Sequence, residues 1–334
     1  MVKTWDQLEE LQPTILRMLK NSLVKNRVAH AYLFEGMRGT GKKEIGMLLT
    51  KALFCEALVG GYKPCESCNN CRRINHGNHP DVHVIEPEGL SIKVDQIREL
   101  QTEFSKKGVE SLKKVYLLNH ADKMSISASN SLLKFLEEPN ARTTAFLLTE
   151  QPQKILPTIL SRCQVLTFQP LPPQILIKQL IENGVKPGKA PILAHLTNSF
   201  DEALELNVDE WFAQAQKIVV KLYEVLKKSP LEAMVTLQSD WFPHFKEKEQ
   251  IQRGLDLLLL YLKDLLYIQL DKQEQVVFQE SERLQQFALQ TSRRRLSDQM
   301  SAVLDAKRKL QANMNPQLMM EQLVLKIQEG SSIV

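Results

Sequence analysis

The chain has 334 residues, of which 43% are hydrophobic and 25% are charged. This length exceeds what a single hydrophobic core usually supports and suits two or three domains, while the composition is that of a soluble globular protein. The formal net charge of +4 lies below that of a dedicated DNA-binding domain.

Membrane and secretory segments are not expected. A membrane span needs about 18 consecutive apolar residues, and the longest candidate, 255–266, is interrupted by Asp256, Lys263 and Asp264. The first residues have no apolar signal core. The sequence therefore indicates a cytoplasmic protein without a membrane partner, in which the five cysteines are not expected to form structural disulfides.

Short apolar runs alternate with helix-like segments in the first half of the chain. Strands that alternate with helices predict a parallel sheet with helices on both faces, and we therefore predict an α/β domain over residues 1–168. The apolar runs lie at 30–34, 82–85, 114–118, 145–149 and 165–168, and the helix-like segments at 44–58, 94–106, 127–138 and 153–160.

A glycine-rich loop at 36–43 follows the first apolar run and precedes a helix-like segment. Its Gly-x4-Gly-Lys spacing in that context predicts a phosphate-binding P-loop, with a glycine turn before an ordinary helix as the alternative. Glycines let backbone N–H groups approach phosphate oxygens. The expected nucleotide-contacting residues are Gly36, Gly39, Thr40, Gly41, Lys42 and Lys43.

The groups that hydrolyse ATP are missing from this loop and its surroundings. The position after Lys42 should carry a hydroxyl that binds Mg²⁺, but it holds Lys43, which is no metal ligand. An acidic pair should follow the run at 114–118, but Asn119 and His120 stand there and Asp122 comes two residues late. We expect no autonomous catalysis, with nucleotide binding weak or absent.

Four of the five cysteines crowd into a short segment after the P-loop helix. Three of them are spaced three residues apart and the fourth lies ten residues earlier, which suits a tetrahedral Zn²⁺ site of four thiolates. Free or redox-active thiols and an iron–sulfur cluster are the alternatives. The predicted ligands of this structural zinc, in an insertion at about 55–79, are Cys55, Cys65, Cys68 and Cys71.

The second half of the chain has no convincing strand. Prolines at 170, 172 and 173 mark a boundary, since the residue before a proline is biased away from helix. Beyond them the pattern is helical, and a last helix begins at Pro316, a residue favoured in the first helical turn.

Several motifs together resemble one family over essentially the whole chain. They are Ser-Asn-Ser-Leu-Leu-Lys-Phe-Leu-Glu-Glu-Pro at 129–139, Phe-Leu-Leu-Thr at 146–149, Ser-Arg-Cys at 161–163 and Asn-Pro-Gln-Leu-Met-Met-Glu at 315–321. This series resembles the AAA+ subunits of bacterial DNA sliding-clamp loaders. The resemblance implies a small helical lid at 169–207 and a helical collar that joins related subunits at 208–334.

The resemblance also implies site residues and partners. Arg162 would act in trans as an arginine finger on a neighbouring subunit's ATP, with an ordinary surface arginine as the alternative. Thr149 would be a γ-phosphate sensor, with a packing or strand-end role as the alternative, and the family carries a zinc module. The second-sensor region, 196–204, has no arginine. The implied partners are the other subunits of a hetero-pentamer, a sliding clamp and primer–template DNA.

The sequence thus predicts a non-hydrolysing clamp-loader subunit of the DNA polymerase III holoenzyme. Two other functions stay open. An active AAA+ ATPase or helicase would show ATP turnover by the isolated chain, against which Lys43, Asn119 and His120 argue. A zinc-ribbon DNA-binding adaptor would bind DNA tightly as a monomer, against which the modest net charge argues.

Overall fold

The computed structural model of the protein describes residues 4–105, 113–137, 143–227, 229–278 and 281–329. The chain divides into two compact units, Met1–Leu171 and Pro172–Val334. The division falls within the proline-containing segment at 170–173. The further separation of a lid from a collar at residue 207 stays a prediction.

The first unit is built on a five-stranded parallel sheet. All five apolar runs form strands, as predicted, and the strand order is β2-β3-β4-β1-β5. The register places Leu33 of the first strand opposite Leu147 on one side and Val165 on the other. The strands are β1 (Ala31–Glu35), β2 (Val82–Ile85), β3 (Lys114–Leu118), β4 (Thr143–Thr149) and β5 (Gln164–Thr167).

Helices cover both faces of this sheet. Successive strand residues point to opposite faces of the sheet. Tyr32 and Phe34 therefore belong to the hydrophobic core between the sheet and α1–α4, whereas Ala31 and Leu33 belong to the core between the sheet and α5–α7. This confirms the predicted α/β architecture. The helices are α1 (Trp5–Leu11), α2 (Pro13–Val24), α3 (Lys42–Phe54), α4 (Asn69–Asn75), α5 (Val94–Ser105), α6 (Ile126–Glu137) and α7 (Pro157–Leu160).

The predicted helix limits differ from the observed ones at two places. Helix α3 ends at Phe54 rather than at residue 58, because Cys55 turns into an extended conformation. The segment at 153–160 begins with a 3-10 turn at Pro152–Lys154, and helix α7 starts only at Pro157. The predicted ends at residues 106 and 138 lie outside the described residues.

The described part of the second unit is entirely helical, as predicted. One continuous apolar core joins its helices, and Arg253 of α14 pairs at 3.0 Å with Glu202 of α10. The helices are α8 (Pro173–Glu182), α9 (Ala190–Leu196), α10 (Phe200–Val208), α11 (Glu210–Leu226), α12 (Pro230–Thr236), α13 (Phe242–His244), α14 (Lys248–Gln269), α15 (Ser281–Leu289), α16 (Arg293–Gln311) and α17 (Pro316–Glu329), with a π-helical turn at Leu237–Trp241.

The length and hydropathy of the helices also bear on membrane spanning. Within the described ranges, no helix combines the length and the apolar character that crossing a membrane requires.

Candidate functional site

The glycine-rich loop follows β1, at the place in the sheet where the connections after two neighbouring strands run in opposite directions. The connection after β1 runs toward β2 at one edge, whereas the connection after the neighbouring β4 runs toward β5 at the other edge. Ligands of open parallel sheets bind in the crevice that such diverging connections create at the carboxyl ends of the strands. The loop at 36–43 and the end of β4 line that crevice.

The loop has a conformation that requires its glycines. Gly39 and Gly41 have φ angles of 79° and 90°, which side chains with a Cβ rarely adopt. A Cβ on Gly36 would lie only 2.8 Å from the Cβ of Phe168. Thr40 is fully buried, and its hydroxyl donates to the Met37 carbonyl at 2.9 Å. The chain thus has the strand–loop–helix geometry of a P-loop.

The lysine of the loop is bound by the loop itself. The Lys42 Nζ donates to the carbonyl oxygens of Gly36 and Met37, at 2.6 Å each. Burial lowers the pKa of Lys42, and the negative charge of Glu150 opposes that shift. A phosphate that binds in the loop would have to replace these two carbonyl oxygens as the hydrogen-bond acceptor of the Lys42 ammonium group.

The next lysine occupies the place of the missing magnesium ligand. Lys43 Nζ lies 2.9 Å from Glu86 Oε1, and the Asn119 side-chain amide donates to the same oxygen. Burial alone would raise the pKa of Glu86, but the hydrogen bonds from Lys43 and Asn119 and the charges of Lys43 and His120 lower it. Glu86 follows β2 directly, and no sequence motif points to it.

Thr149, the predicted phosphate sensor, is buried at the end of β4 with its hydroxyl engaged. The hydroxyl donates to Asp122 Oδ1 at 2.8 Å, and the backbone N–H of Glu150 donates to the same oxygen at 3.2 Å. Asp122 therefore orients the end of β4 from its position two residues after the expected acidic pair.

A buried glutamine, also missed by the sequence analysis, fixes the end of the loop. The Gln12 amide donates to the carbonyl oxygens of Thr40, at 3.1 Å, and of Gln169, at 2.7 Å. Its oxygen accepts the Gln169 N–H at 3.2 Å. Gln12 thereby ties the junction of α1 and α2 to both the P-loop and the exit of β5.

Arg162, the predicted trans-acting residue, follows helix α7. Its Nη2 lies 2.8 Å from Glu137 Oε1 at the end of α6. Its Nη1 donates to the Thr158 carbonyl at 2.9 Å and contacts the Ser161 hydroxyl at 3.3 Å. Within the described part of the chain, the guanidinium therefore has three partners, while the side chain of Arg162 stays 34% exposed.

The four predicted zinc ligands come together in the fold. The Sγ atoms of Cys55, Cys65, Cys68 and Cys71 all lie within 4.8 Å of one another. A tetrahedral zinc site with bonds of about 2.3 Å places its sulfurs about 3.8 Å apart, so this set fits a zinc ion. Backbone N–H groups already donate to three of the sulfurs, at 3.3–3.5 Å.

The two nearby histidines have other partners. His79 packs against Phe54, with ring centroids 4.6 Å apart, and its Nδ1 accepts the Asp81 N–H at 3.2 Å. His76 Nδ1 lies 2.7 Å from the Arg72 carbonyl oxygen. Among the described residues, the group of potential metal ligands at this place consists of the four cysteines alone.

A buried ion pair connects the cysteine cluster to the P-loop helix. Lys51 of α3 is 2% exposed, and its Nζ lies 2.6 Å from both carboxylate oxygens of Glu66. Glu66 stands between Cys65 and Cys68 with a φ of 57°, and it also accepts the Asn75 side-chain amide at 3.2 Å. This pair was not predicted, because neither residue carries a recognisable motif.

Known proteins match both units of the chain. The family model described as "DNA polymerase III, delta subunit" matches residues 11–172, and "DNA polymerase III, delta subunit, C terminal" matches residues 240–329. A crystal structure of a DNA polymerase III gamma subunit-related protein from Thermotoga maritima aligns with a TM-score of 0.45 and 20% identity, over 97% of this chain and 99% of the other.

Two relatives illustrate the similarity in sequence. The DNA polymerase III subunit tau of Salmonella typhimurium is 41% identical over 152 residues, which are 46% of this chain and 23% of the tau chain. The DNA polymerase III subunit delta' of Bacillus subtilis is 50% identical over 331 residues, which cover 99% of this chain and 100% of the relative. This chain therefore belongs to the delta' subunits of bacterial DNA polymerase III, within the AAA+ clamp-loader family that its motifs predicted.

Proposed function

We propose that this delta' subunit does not hydrolyse ATP and instead completes the ATP site of a neighbouring subunit. The observation that carries the proposal is that Lys43 and Asn119 both bind the carboxylate of Glu86. An ammonium and an amide stand where a magnesium-binding hydroxyl and an acidic residue would be needed. Because an ammonium group has no lone pair for a metal, efficient phosphoryl transfer at this loop is not expected.

The catalytic contribution of the chain is Arg162, acting in trans on the γ-phosphate of the neighbour's ATP. A guanidinium is permanently charged, planar and able to bind phosphate through two N–H groups. An arginine finger supplied in trans raises the rate by roughly 10³-fold or more. The partial exposure of Arg162 supports this role, since the side chain is accessible to another subunit.

The cysteine cluster binds one structural zinc ion. Four thiolates leave no open coordination position for a substrate, and a short insertion has little hydrophobic core of its own, so the metal would stabilise its folding. Metal analysis of the purified protein should give about one zinc per chain. A folded protein that lacks zinc and takes none up would contradict this assignment.

The partners follow from the family. The tau subunit of Salmonella typhimurium is 41% identical to 46% of this chain, which supports related AAA+ subunits as neighbours in a hetero-pentameric ring. The whole assembly would open a sliding clamp and place it on primed DNA in the cytoplasm, and it would hold that DNA mainly through phosphate contacts. The P-loop of this subunit would bind nucleotide weakly or not at all, because Lys42 already has two carbonyl partners.

The central test is Arg162→Ala, assembled with the ATP-hydrolysing subunits and the clamp. The assembled complex should lose much of its DNA-stimulated ATP turnover and its clamp loading, while the isolated wild-type chain should show no turnover. Arg162→Lys is the matched control, because it retains a positive charge without bidentate geometry. Full activity of the Arg162→Ala complex would refute the role in trans.

A further inference from the structure

Among the described residues, Glu137 is the one partner of Arg162 that comes from a different element. Thr158 and Ser161 lie four and one residues before Arg162, so they belong to the same local segment. Glu137 instead ends helix α6, 25 residues earlier in the chain, and binds the Nη2 atom at 2.8 Å. The contacts with Thr158 and Ser161 therefore hold the guanidinium within its own segment, whereas the contact with Glu137 holds it against the end of α6.

We propose that Glu137 is a positioning residue that holds Arg162 on this chain until the phosphate of a neighbouring subunit's ATP replaces its carboxylate. This inference rests on the proposed role of Arg162 in trans. Carboxylate and phosphate oxygens bind a guanidinium in the same way, through charge-assisted N–H bonds. They therefore compete for the same donors.

Because the Glu137 carboxylate and a phosphate are both negatively charged, the phosphate should replace the carboxylate at Arg162 rather than bind beside it. A carboxylate 2.8 Å from Nη2 would lie next to an incoming phosphate, and like charges at that distance repel each other. The contacts with the Thr158 carbonyl and the Ser161 hydroxyl carry no net charge and can persist. They keep Nη1 in place while Nη2 changes partner.

The exposure of the pair makes such an exchange easy. The side chains of Arg162 and Glu137 are 34% and 49% exposed, and exposed ion pairs are weak and are screened by salt. The usual strength of an exposed pair corresponds to a factor of about 1.4 to 5 in an equilibrium constant. Glu137 therefore lowers the availability of Arg162 by a modest factor, and it weakens premature anion binding to Arg162 without blocking the catalytic contact.

The test compares Glu137→Gln in two backgrounds, the wild type and Arg162→Ala, in the complete assembly with primed DNA. Gln keeps an oxygen acceptor and the side-chain length but removes the charge. We expect kcat/KM for DNA-stimulated ATP turnover to rise about 1.4- to 5-fold at low salt. The gain should shrink at high salt and vanish when Arg162 is alanine.

The outcomes separate this inference from the proposed function. If Arg162→Ala abolishes turnover but Glu137→Gln leaves kcat/KM unchanged or lowers it, the exchange at Glu137 is wrong and the role of Arg162 stands. If Arg162→Ala keeps full turnover, both are wrong. Glu182→Gln is the matched control, because Glu182 is also a partly exposed glutamate that ends a helix, and its kcat/KM should equal that of the wild type.

Discussion

The ion pair between Lys51 and Glu66 provides a quantitative test of how the cysteine cluster is attached to the P-loop helix. Removing one partner of a fully buried pair costs about 3–5 kcal/mol, because the remaining charge stays desolvated. The Lys51 side chain is 2% exposed but the Glu66 side chain is 30% exposed, so water partly screens the pair. We therefore expect Glu66→Ala to destabilise the protein by roughly 2–3 kcal/mol.

Urea denaturation of the isolated chain measures this cost as a change in the free energy of unfolding of the first unit. The matched control is the double variant Lys51→Met/Glu66→Ala, which removes both charges and keeps most of the buried lysine volume. Since replacing a buried pair by apolar groups is often nearly neutral, the double variant should recover most of the loss. A Glu66→Ala cost below about 0.5 kcal/mol, or a double variant as unstable as the single one, would refute the argument.

Two further predictions concern the second unit. Gly254→Ala should destabilise the second unit by about 1–3 kcal/mol, because the new Cβ would lie 2.8 Å from the buried Trp241 ring. This cost should exceed the usual preference of a helix for alanine over glycine. A raised melting temperature would contradict the prediction. Burial raises the pKa of Asp264 to about 6, so the folded protein takes up a proton as the pH falls through that value. The free energy of unfolding of the wild type, measured relative to Asp264→Asn, should therefore increase by about 1.4 kcal/mol between pH 7.5 and pH 5, and an unchanged difference would show an ordinary pKa.

The sheet and the P-loop could be predicted because their signals are local. Each strand is a short apolar run, and the glycines that the loop needs stand at fixed spacing next to the first strand. The cysteine cluster could be predicted equally well, because its four cysteines lie within 17 residues of sequence. The structure added that the four thiols lie close to one another. In each case the residues that form the feature are neighbours in the chain.

The partners of these features could not be predicted, because they depend on contacts distant in sequence. Gln12 meets Gln169 across 157 residues, and Glu86 meets Lys43 across 43 residues. No spacing rule connects such pairs, and each partner belongs to a common residue type. The early end of α3 has the same origin, since Cys55 leaves the helix to approach thiols that lie later in the chain.

The contacts around the P-loop connect the residues that stand at the positions expected for the hydrolysis groups. In an active loop the metal and its ligands balance the negative charge of phosphate. Here Lys43 and Asn119 both bind Glu86, and Asp122 accepts hydrogen bonds from Thr149 and Glu150 at the end of β4. The positive charge of Lys43 is therefore balanced by the negative charge of Glu86 within the chain itself. The glycines remain necessary for a different reason, since Gly36 lies too close to Phe168 for any side chain. The conformation of the loop is thus constrained by the packing of Gly36 against Phe168, whether or not a nucleotide binds there.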